Sequence, residues 1–285
     1  MKILHLIILL LTANLIAQNQ RFIYEYSFNN DSTAIDQPLS KEMMYLDVAK
    51  KGSKFYSYTN FQADSIIADR SKKNPDNHDF TGVKFGKIHV VIEKTYPDFK
   101  VSHFDYLDMN DYQVLDSREI KWKILPEKEK IGEFETQKAE TFMYGRTWKA
   151  WFTTDIPLQD GPYKFRGLPG LIVKLADPKN THVFELKAVK KLSEKEEWSS
   201  AADKKRFAAI LKVDEKQFKK LFVDNRENPT KGLRQMLSSG AKVIMTDEKG
   251  NTIDIEKNMR EQERNAKEQN KKNNNLLELD LIKQP

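Results

Sequence analysis

The chain of 285 residues contains no cysteine and five histidines, His5, His78, His89, His103 and His182. Thiol nucleophiles, thiolate metal sites and disulfides are therefore excluded. No two histidines stand in an H-E-x-x-H or comparable spacing that would set two imidazoles on one helix face, so neither a metal nor another cofactor is expected. The densest acidic patch, with His103, Asp105, Asp108 and Asp111, lacks the glycine and closing glutamate of a calcium loop and reads as a solvated turn. There is no G-x-S-x-G elbow, although a Ser-His-Asp triad drawn from distant positions is not legible in residue order.

The least ordinary composition falls in residues 138–176. Here stand Gly145-Arg146, Trp148, Trp151-Phe152, Gly161-Pro162, Tyr163-Lys164-Phe165-Arg166 and Gly167-Leu168-Pro169-Gly170-Leu171-Ile172. Pro169 followed by Gly170 suits a type II turn, proline fixing its own φ and glycine accepting the positive φ that follows. Residues 163–166 then form a short exposed connection. Such a turn shapes a scaffold, and it also suits a rigid loop that presents Tyr163, Phe165 and Arg166 to a ligand. Strand alternation puts Trp148, Ala150 and Phe152 on one face and Lys149 and Trp151 on the other. One indole belongs to the core, and the second is a candidate for lining a groove. Arg146 is suited to a substrate carboxylate or phosphate, or to a bridge with Asp155 or Asp160.

Lys138-Ala139, Gly145-Arg146-Thr147-Trp148, Ala150-Trp151-Phe152-Thr153, Asp155-Ile156-Pro157, Gly161-Pro162-Tyr163-Lys164-Phe165 and the complete G-L-P-G-L-I motif resemble the signature block of the GLPGLI family. The resemblance implies an exported, uncharacterised protein of Gram-negative bacteria, often encoded near TonB-dependent outer-membrane receptors, with no established biochemical activity. It extends more weakly to Trp122-Lys123-Ile124-Leu125 and to the Asn-rich stretch before Glu278-Leu279. Many members carry cysteine just before Gln137-Lys138-Ala139, where this chain has Thr136, so a thiol role there is excluded.

The elements that must position this block are mainly strands. Phe22, Tyr24, Tyr26 and Phe28 alternate with polar residues, and similar runs follow at 43–48, 54–59, 87–95, 112–124, 136–143 and 147–153. Runs 171–176 and 182–189 flank Asp177-Pro178-Lys179-Asn180, a hairpin signal. The expected fold is mainly β to α+β: a curved antiparallel sheet, or an open barrel, carrying a helical pair at 194–224 and a polar C-terminal helix. Ser193 with Glu196 makes a capping box, Trp198, Ala202, Phe207, Ile210 and Leu211 a first apolar stripe, and Asp214 a second N-cap before Phe218, Leu221 and Phe222. Residues 243–245 and 252–255 flank a further turn at 247–251. Residues 256–275 read as a polar helix or linker, and 276–285 as an edge strand and tail.

Lys2, the apolar run 3–11 and Ala17 have the layout of a cleavable secretory signal over 1–17, leaving the domain 18–255 and its C-terminal extension. Without cysteine the cleavage site cannot be lipidated on a thiol, so no lipid anchor is expected, and no later segment is apolar enough to span a membrane. A net charge of +6 is spread as interleaved Lys and Glu, and no nucleic-acid motif is present. The expected function is that of a periplasmic or outer-membrane-associated accessory protein binding an unknown small ligand or an envelope partner, with the outer-membrane receptor link implied by the resemblance. A periplasmic hydrolase and a carrier of a hydrophobic guest are the alternatives. Paired carboxylates near His103 or His182 would mark the hydrolase, and a large apolar cavity would mark the carrier.

Overall fold

The computed structural model describes residues 19–34, 36–74, 80–204, 208–241, 243, 245 and 252–282, so the leader expected at 1–17, His78, Phe207 and the turn expected at 247–251 lie outside the described residues. The described residues form twelve strands in one sheet. They are β1 (Gln20–Phe28), β2 (Ser40–Ala49), β3 (Gly52–Ser57), β4 (Val91–Thr95), β5 (Val101–Leu107), β6 (Asn110–Asp116), β7 (Lys123–Ile131), β8 (Phe134–Met143), β9 (Arg146–Thr153), β10 (Leu171–Ala176), β11 (His182–Lys191) and β12 (Leu211–Asp214). Four α-helices accompany them: α1 (Tyr58–Lys73), α2 (Glu215–Glu227), α3 (Lys231–Ser238) and α4 (Ile255–Lys272).

Strand order is β12-β6-β5-β4-β3-β2-β1-β11-β10-β9-β8-β7. One meander, β1 to β6, runs outward, and a second, β7 to β11, runs back in until β11 pairs with β1. The sheet is mixed, because β12 lies parallel to β6 while the other pairs are antiparallel. β12 and β7 are left as its two ends, so it does not close into a barrel.

One face, called inner here, carries the core. Phe22, Tyr24, Tyr26 and Phe28 are all buried there, as their alternation requires. Tyr26 stacks on Phe184 at 4.0 Å between ring centroids, and Trp148 packs edgewise on Phe165 at 5.0 Å. Each such aromatic side chain stabilises the fold by about 2–3 kcal/mol through area removed from water. A smaller apolar cluster of Leu107, Tyr112, Val114 and Phe218 holds α2 against β5 and β6.

Several expectations change. The run 112–124 is broken after Asp116, and the acidic segment at 103–111 is a strand, a turn at Asp108-Met109 and a second strand rather than one solvated turn. His103 and Leu107 there face inward. Ser193 and Glu196 do form the capping box, but it caps a single turn of 3-10 helix, a second such turn spans Ala201–Asp203, and β12 follows. Among the described residues of the span 194–224, only the part from Glu215 is α-helical, opened by Asp214 as expected. The first stripe fails as a helix because residues 198–201 are laid across the sheet, Lys51 donating to the Trp198 carbonyl, Lys54 to the Ser199 carbonyl, and the Ala201 N–H to Glu93. Residues 276–282 are not an edge strand: their apolar side chains pack beside the core around a 3-10 turn at Leu279–Leu281. The helix α1 has no counterpart in the expectations, since it buries only Ala63 and so writes no apolar stripe.

Candidate functional site

The loop between β9 and β10 folds inward. Tyr163, Lys164, Phe165 and Leu168 are buried, and Arg166 is half-buried, so the expected exposed connection is instead part of the core. The cause is Lys94. It lies on the inner face of β4 beside Ile92, fully buried and paired with fully buried Asp160, and its ammonium also donates to the carbonyls of Gly161 at 2.8 Å and Tyr163 at 2.9 Å. Asp160 further accepts from Ser53 Oγ and Tyr96 OH, each at 2.5 Å, and from the Gly161 N–H at 2.6 Å. Burial lowers the Lys94 pKa, opposed by Asp160. Every polar atom of this pair has a partner, which is the condition for tolerating a buried ion pair.

Gly170 does not have a positive φ; the positive value belongs to Gly167, at +91°. Glycine is needed at 170 for a different reason. A Cβ there would stand 2.7 Å from the carbonyl carbon of Thr153 and 3.1 Å from Thr154 N, and closer still to the Thr153 carbonyl oxygen. Gly161 is similar, its Cβ meeting Ile172 at 2.8 Å. The motif thus records close backbone packing between β9 and the strand start at Leu171-Ile172, both buried.

Arg146 is buried and donates to Asp177 at 3.0 Å and Asn275 Oδ1 at 3.0 Å, not to Asp155 or Asp160. Asn275 in turn accepts, through its carbonyl, a 2.7 Å contact with His182 Nε2, whose Nδ1 meets Tyr26 OH at 2.6 Å. Burial, aided by Arg146, holds the His182 imidazole down to about 4. Trp148 and Phe152 are core residues, while Trp151 is half-buried on the outer face. The candidate residues Arg146, Trp148, Phe152, Tyr163, Phe165 and Arg166 therefore gather on the inner side.

A third polar cluster joins the motif block to the C-terminus. Arg118 forks onto Asp116, with Nε to Oδ1 at 2.8 Å, and reaches Glu278 at 2.9 Å and Asp280 at 3.0 Å. Lys164 bridges Asp116 at 3.0 Å and Glu278, and Tyr163 OH donates to Glu278 at 2.6 Å. Burial opposes ionisation of Glu278, but Lys164 and Arg118 outweigh it and hold its carboxyl down to about 2. Asp280 goes the other way, raised by burial and by Glu278. The cluster near His103 escaped sequence reading because Glu278, which completes it, lies more than a hundred residues from its partners Arg118 and Lys164. Only Lys94 leaves a trace, as a charge in register with the apolar face of its strand.

The outer face holds a groove of about 660 Å³. Its floor is Val91, Phe104, Tyr56 and the Arg21–Asp47 pair, its walls α1 and residues 196–204, and Phe61, Phe85 and Tyr106 stand exposed at its rim. Arg21 meets Asp47 through two bonds of 2.6 and 2.8 Å, and Tyr56 OH adds a third at 2.7 Å. Trp198 is pinned beneath Lys51, 4.4 Å above its ring, and Lys204 reaches across to Asp64 on α1 at 2.8 Å. Asp47, Asp64, Asp111, Glu196 and Glu197 line it against Arg21, Lys54 and Lys204, an acidic excess in a chain whose net charge is +6, while Asp105 turns its carboxylate to the other face, 3.7 Å from His103 Nε2. None of the motif residues lines this groove.

Fold and site together define an open, mainly β sheet whose inner face is tied by buried ion pairs and whose outer face carries an acidic, aromatic-rimmed groove. Residues 118–174 match the model of a family described as a protein of unknown function (Porph_ging). Over that stretch the chain is similar to an uncharacterised family. It matches no curated protein. Among solved structures, two of PNGF-II, in C2 and P21 space groups, are similar at 20% and 19% identity, each with a TM-score of 0.49 and each covering 74% of this chain. The chain spans 34% of the length of those chains.

Proposed function

We propose that this is an exported, non-catalytic accessory protein of the cell envelope that binds a partner protein through the outer groove, the bound element being an apolar segment that carries positive charge. The observation that carries the reading is the groove itself: a floor of Val91, Phe104 and Tyr56 around the Arg21–Asp47 pair, three exposed aromatic side chains at the rim, and an acidic excess in its lining. An aromatic rim over a desolvated floor is the usual make-up of a binding hot spot, and charge complementarity selects a basic segment. The periplasmic address and the pairing with an outer-membrane receptor follow from the family resemblance and the leader at 1–17.

The reading is preferred to a carrier of a hydrophobic guest because the inner face is filled by its own loop, with Phe165 and Leu168 in the core. It is preferred to a hydrolase because Asp116 and Glu278 are each engaged by both Arg118 and Lys164.

The test is site-specific photocrosslinking in intact envelopes from Phe85 or Tyr106, with Phe142, exposed on β8, as control. Capture through a basic, apolar segment of one envelope protein from the groove positions alone supports the reading. Equal yield from Phe142 overturns it. N-terminal sequencing of exported protein is expected to begin at Gln18, and a start at Met1 overturns the export step.

A further inference from the structure

Residues 273–282 form a strap laid against the inner side of the sheet and held at two places. At the first, the Asn275 N–H donates to the Asn30 carbonyl at 2.8 Å, its side-chain amide donates to the Asn29 carbonyl at 2.7 Å, and its Oδ1 accepts from Arg146 at 3.0 Å. At the second, Glu278 accepts from Tyr163 OH at 2.6 Å, from Arg118 at 2.9 Å and from Lys164. Leu276, Leu277 and Leu279, around these anchors, are only half-buried. The helix that leads into the strap, α4, buries Met259 alone among its residues.

The groups that receive Glu278 and flank it come from one stretch of the chain. Arg118, Tyr144, Arg146, Tyr163 and Lys164 all fall within residues 118–174, the stretch similar to the family, whereas the strap lies outside it. Of the carboxylates paired with Arg118 and Lys164, only Asp116 is independent of the strap, so the receiving site is cationic until another carboxylate arrives. Tyr144 and Tyr163 stand at positive φ, 57° and 55°, a region that bulky side chains seldom adopt. Such backbone strain gathers at ligand clamps and switch regions. The strap also leaves donors unmet where it docks, since Tyr144 OH and Arg146 Nε are buried without a hydrogen-bond partner. Buried donors of that kind are rare inside a core, and they mark the strap as a segment docked onto a site.

The geometry points to an exchange of straps between two copies of this chain: the cationic site is a receptor for an extended acidic segment whose glutamate is flanked by leucines, and the strap of a second copy enters it in place of the chain's own. A second copy is the partner that fits, because its strap carries the same asparagine and glutamate at the same spacing. Every contact of the strap is then re-formed, and no buried cation is left without its carboxylate. Which strap is bound depends only on the linkage. The chain's own strap acts at an effective concentration on the order of a millimolar, so exchange becomes favourable as the protein approaches that concentration. The site lies on the inner side of the sheet and does not rest on the function proposed for the outer groove.

The test has two arms. In the first, a synthetic peptide of residues 273–282 is added to the full mature chain carrying Glu278→Gln. The peptide is expected to raise the melting temperature saturably by supplying the missing carboxylate, and the same peptide with Glu278→Gln is expected to bind roughly tenfold to a hundredfold more weakly, as for a charge-assisted hydrogen bond. No rise, or an equal rise with both peptides, overturns the proposal. In the second arm the absence of cysteine is used. Ser32 lies beside the strap, its N–H donating to Asn274 Oδ1 at 2.8 Å. Copies carrying Ser32→Cys alone and Asn274→Cys alone are refolded together at about 1 mM and oxidised. The mixed disulfide dimer is expected to exceed either homodimer several-fold and to fall away on refolding at a hundredfold lower concentration, while a chain carrying both changes closes on itself as a monomer. A mixed dimer no more abundant than the homodimers overturns the exchange between copies, including where the peptide binds, since the receptor then serves an acidic segment of another protein. This arm decides alone if the Glu278→Gln chain does not fold.

Discussion

Replacing Gly170 by alanine adds a single methyl group, and the structure sets where that methyl must go. It would stand 2.7 Å from the Thr153 carbonyl carbon and 3.1 Å from Thr154 N. These are backbone atoms in the register pair Leu171↔Thr153 that opens β10, so no side-chain rotation relieves the overlap. Relief requires Gly170 to withdraw from β9, and withdrawal moves Leu171 and Ile172, both fully buried. Overpacking of this kind costs about 3 kcal/mol, at the upper end of the usual range because the yielding atoms are main chain. For a domain of this size that corresponds to about 6–12 °C in melting temperature. Gly167→Ala is the matched comparison. Its φ of +91° disfavours a side chain, but nothing lies within 4 Å of the added methyl. Backbone strain alone should cost it about 1–2 kcal/mol. Urea denaturation of both variants, with equal m-values, measures the difference. A loss below about 1 kcal/mol for Gly170→Ala, or a smaller loss than for Gly167→Ala, would refute the close-approach account of the motif.

Lys94→Met should destabilise by about 3–5 kcal/mol, because it leaves Asp160 buried without its cation; a Lys94→Met/Asp160→Leu double variant should recover part of the loss, and failure to recover any would show that the pair is not the cause. Glu278→Ala should cost a comparable amount by stranding Lys164 and Arg118, read by the same denaturation assay, and a change under about 1 kcal/mol would mean that the strap is not anchored through this carboxylate. For His182, the folded pKa of about 4 lies below the ordinary 6.5. The unfolded chain therefore binds the proton first as pH falls. The contribution of neutral His182 is intact above pH 6.5 and is lost between 6.5 and 4, a change of about 3 kcal/mol. Melting temperature against pH should fall more steeply across that window in the native protein than in His182→Gln, and parallel curves would reject the assignment.

How much was legible depended on the range of the interaction concerned. Alternation at Phe22, Tyr24, Tyr26 and Phe28 named a buried face, and the same rule correctly separated Trp148 and Phe152 from Trp151. The hairpin at Asp177–Asn180 and the cap at Asp214 were equally local signals, each carried by side chains within a turn of the backbone they serve. The stripe from Trp198 to Leu211 misled because helical spacing was present while the partners that decide the conformation, Lys51, Lys54 and Glu93, lie far away in the chain, on β3, β4 and the turn before β3. Pro169-Gly170 misled in a similar way: the turn chemistry was plausible, yet the constraint on Gly170 is a neighbouring strand rather than its own φ.

The sequence by itself determined the fold class, most strand positions, the absence of thiol chemistry and the importance of the block around the G-L-P-G-L-I motif. These follow from backbone periodicity and residue chemistry, which act over a few residues. Only the tertiary structure decided that the sheet stays open, that the motif loop turns inward onto Lys94, and that residues near 278 complete an ion-pair cluster begun at Asp116 and Arg118. It also decided where surfaces for recognition remain, because a groove or cleft is the space left between elements, and no local property of the chain specifies that space.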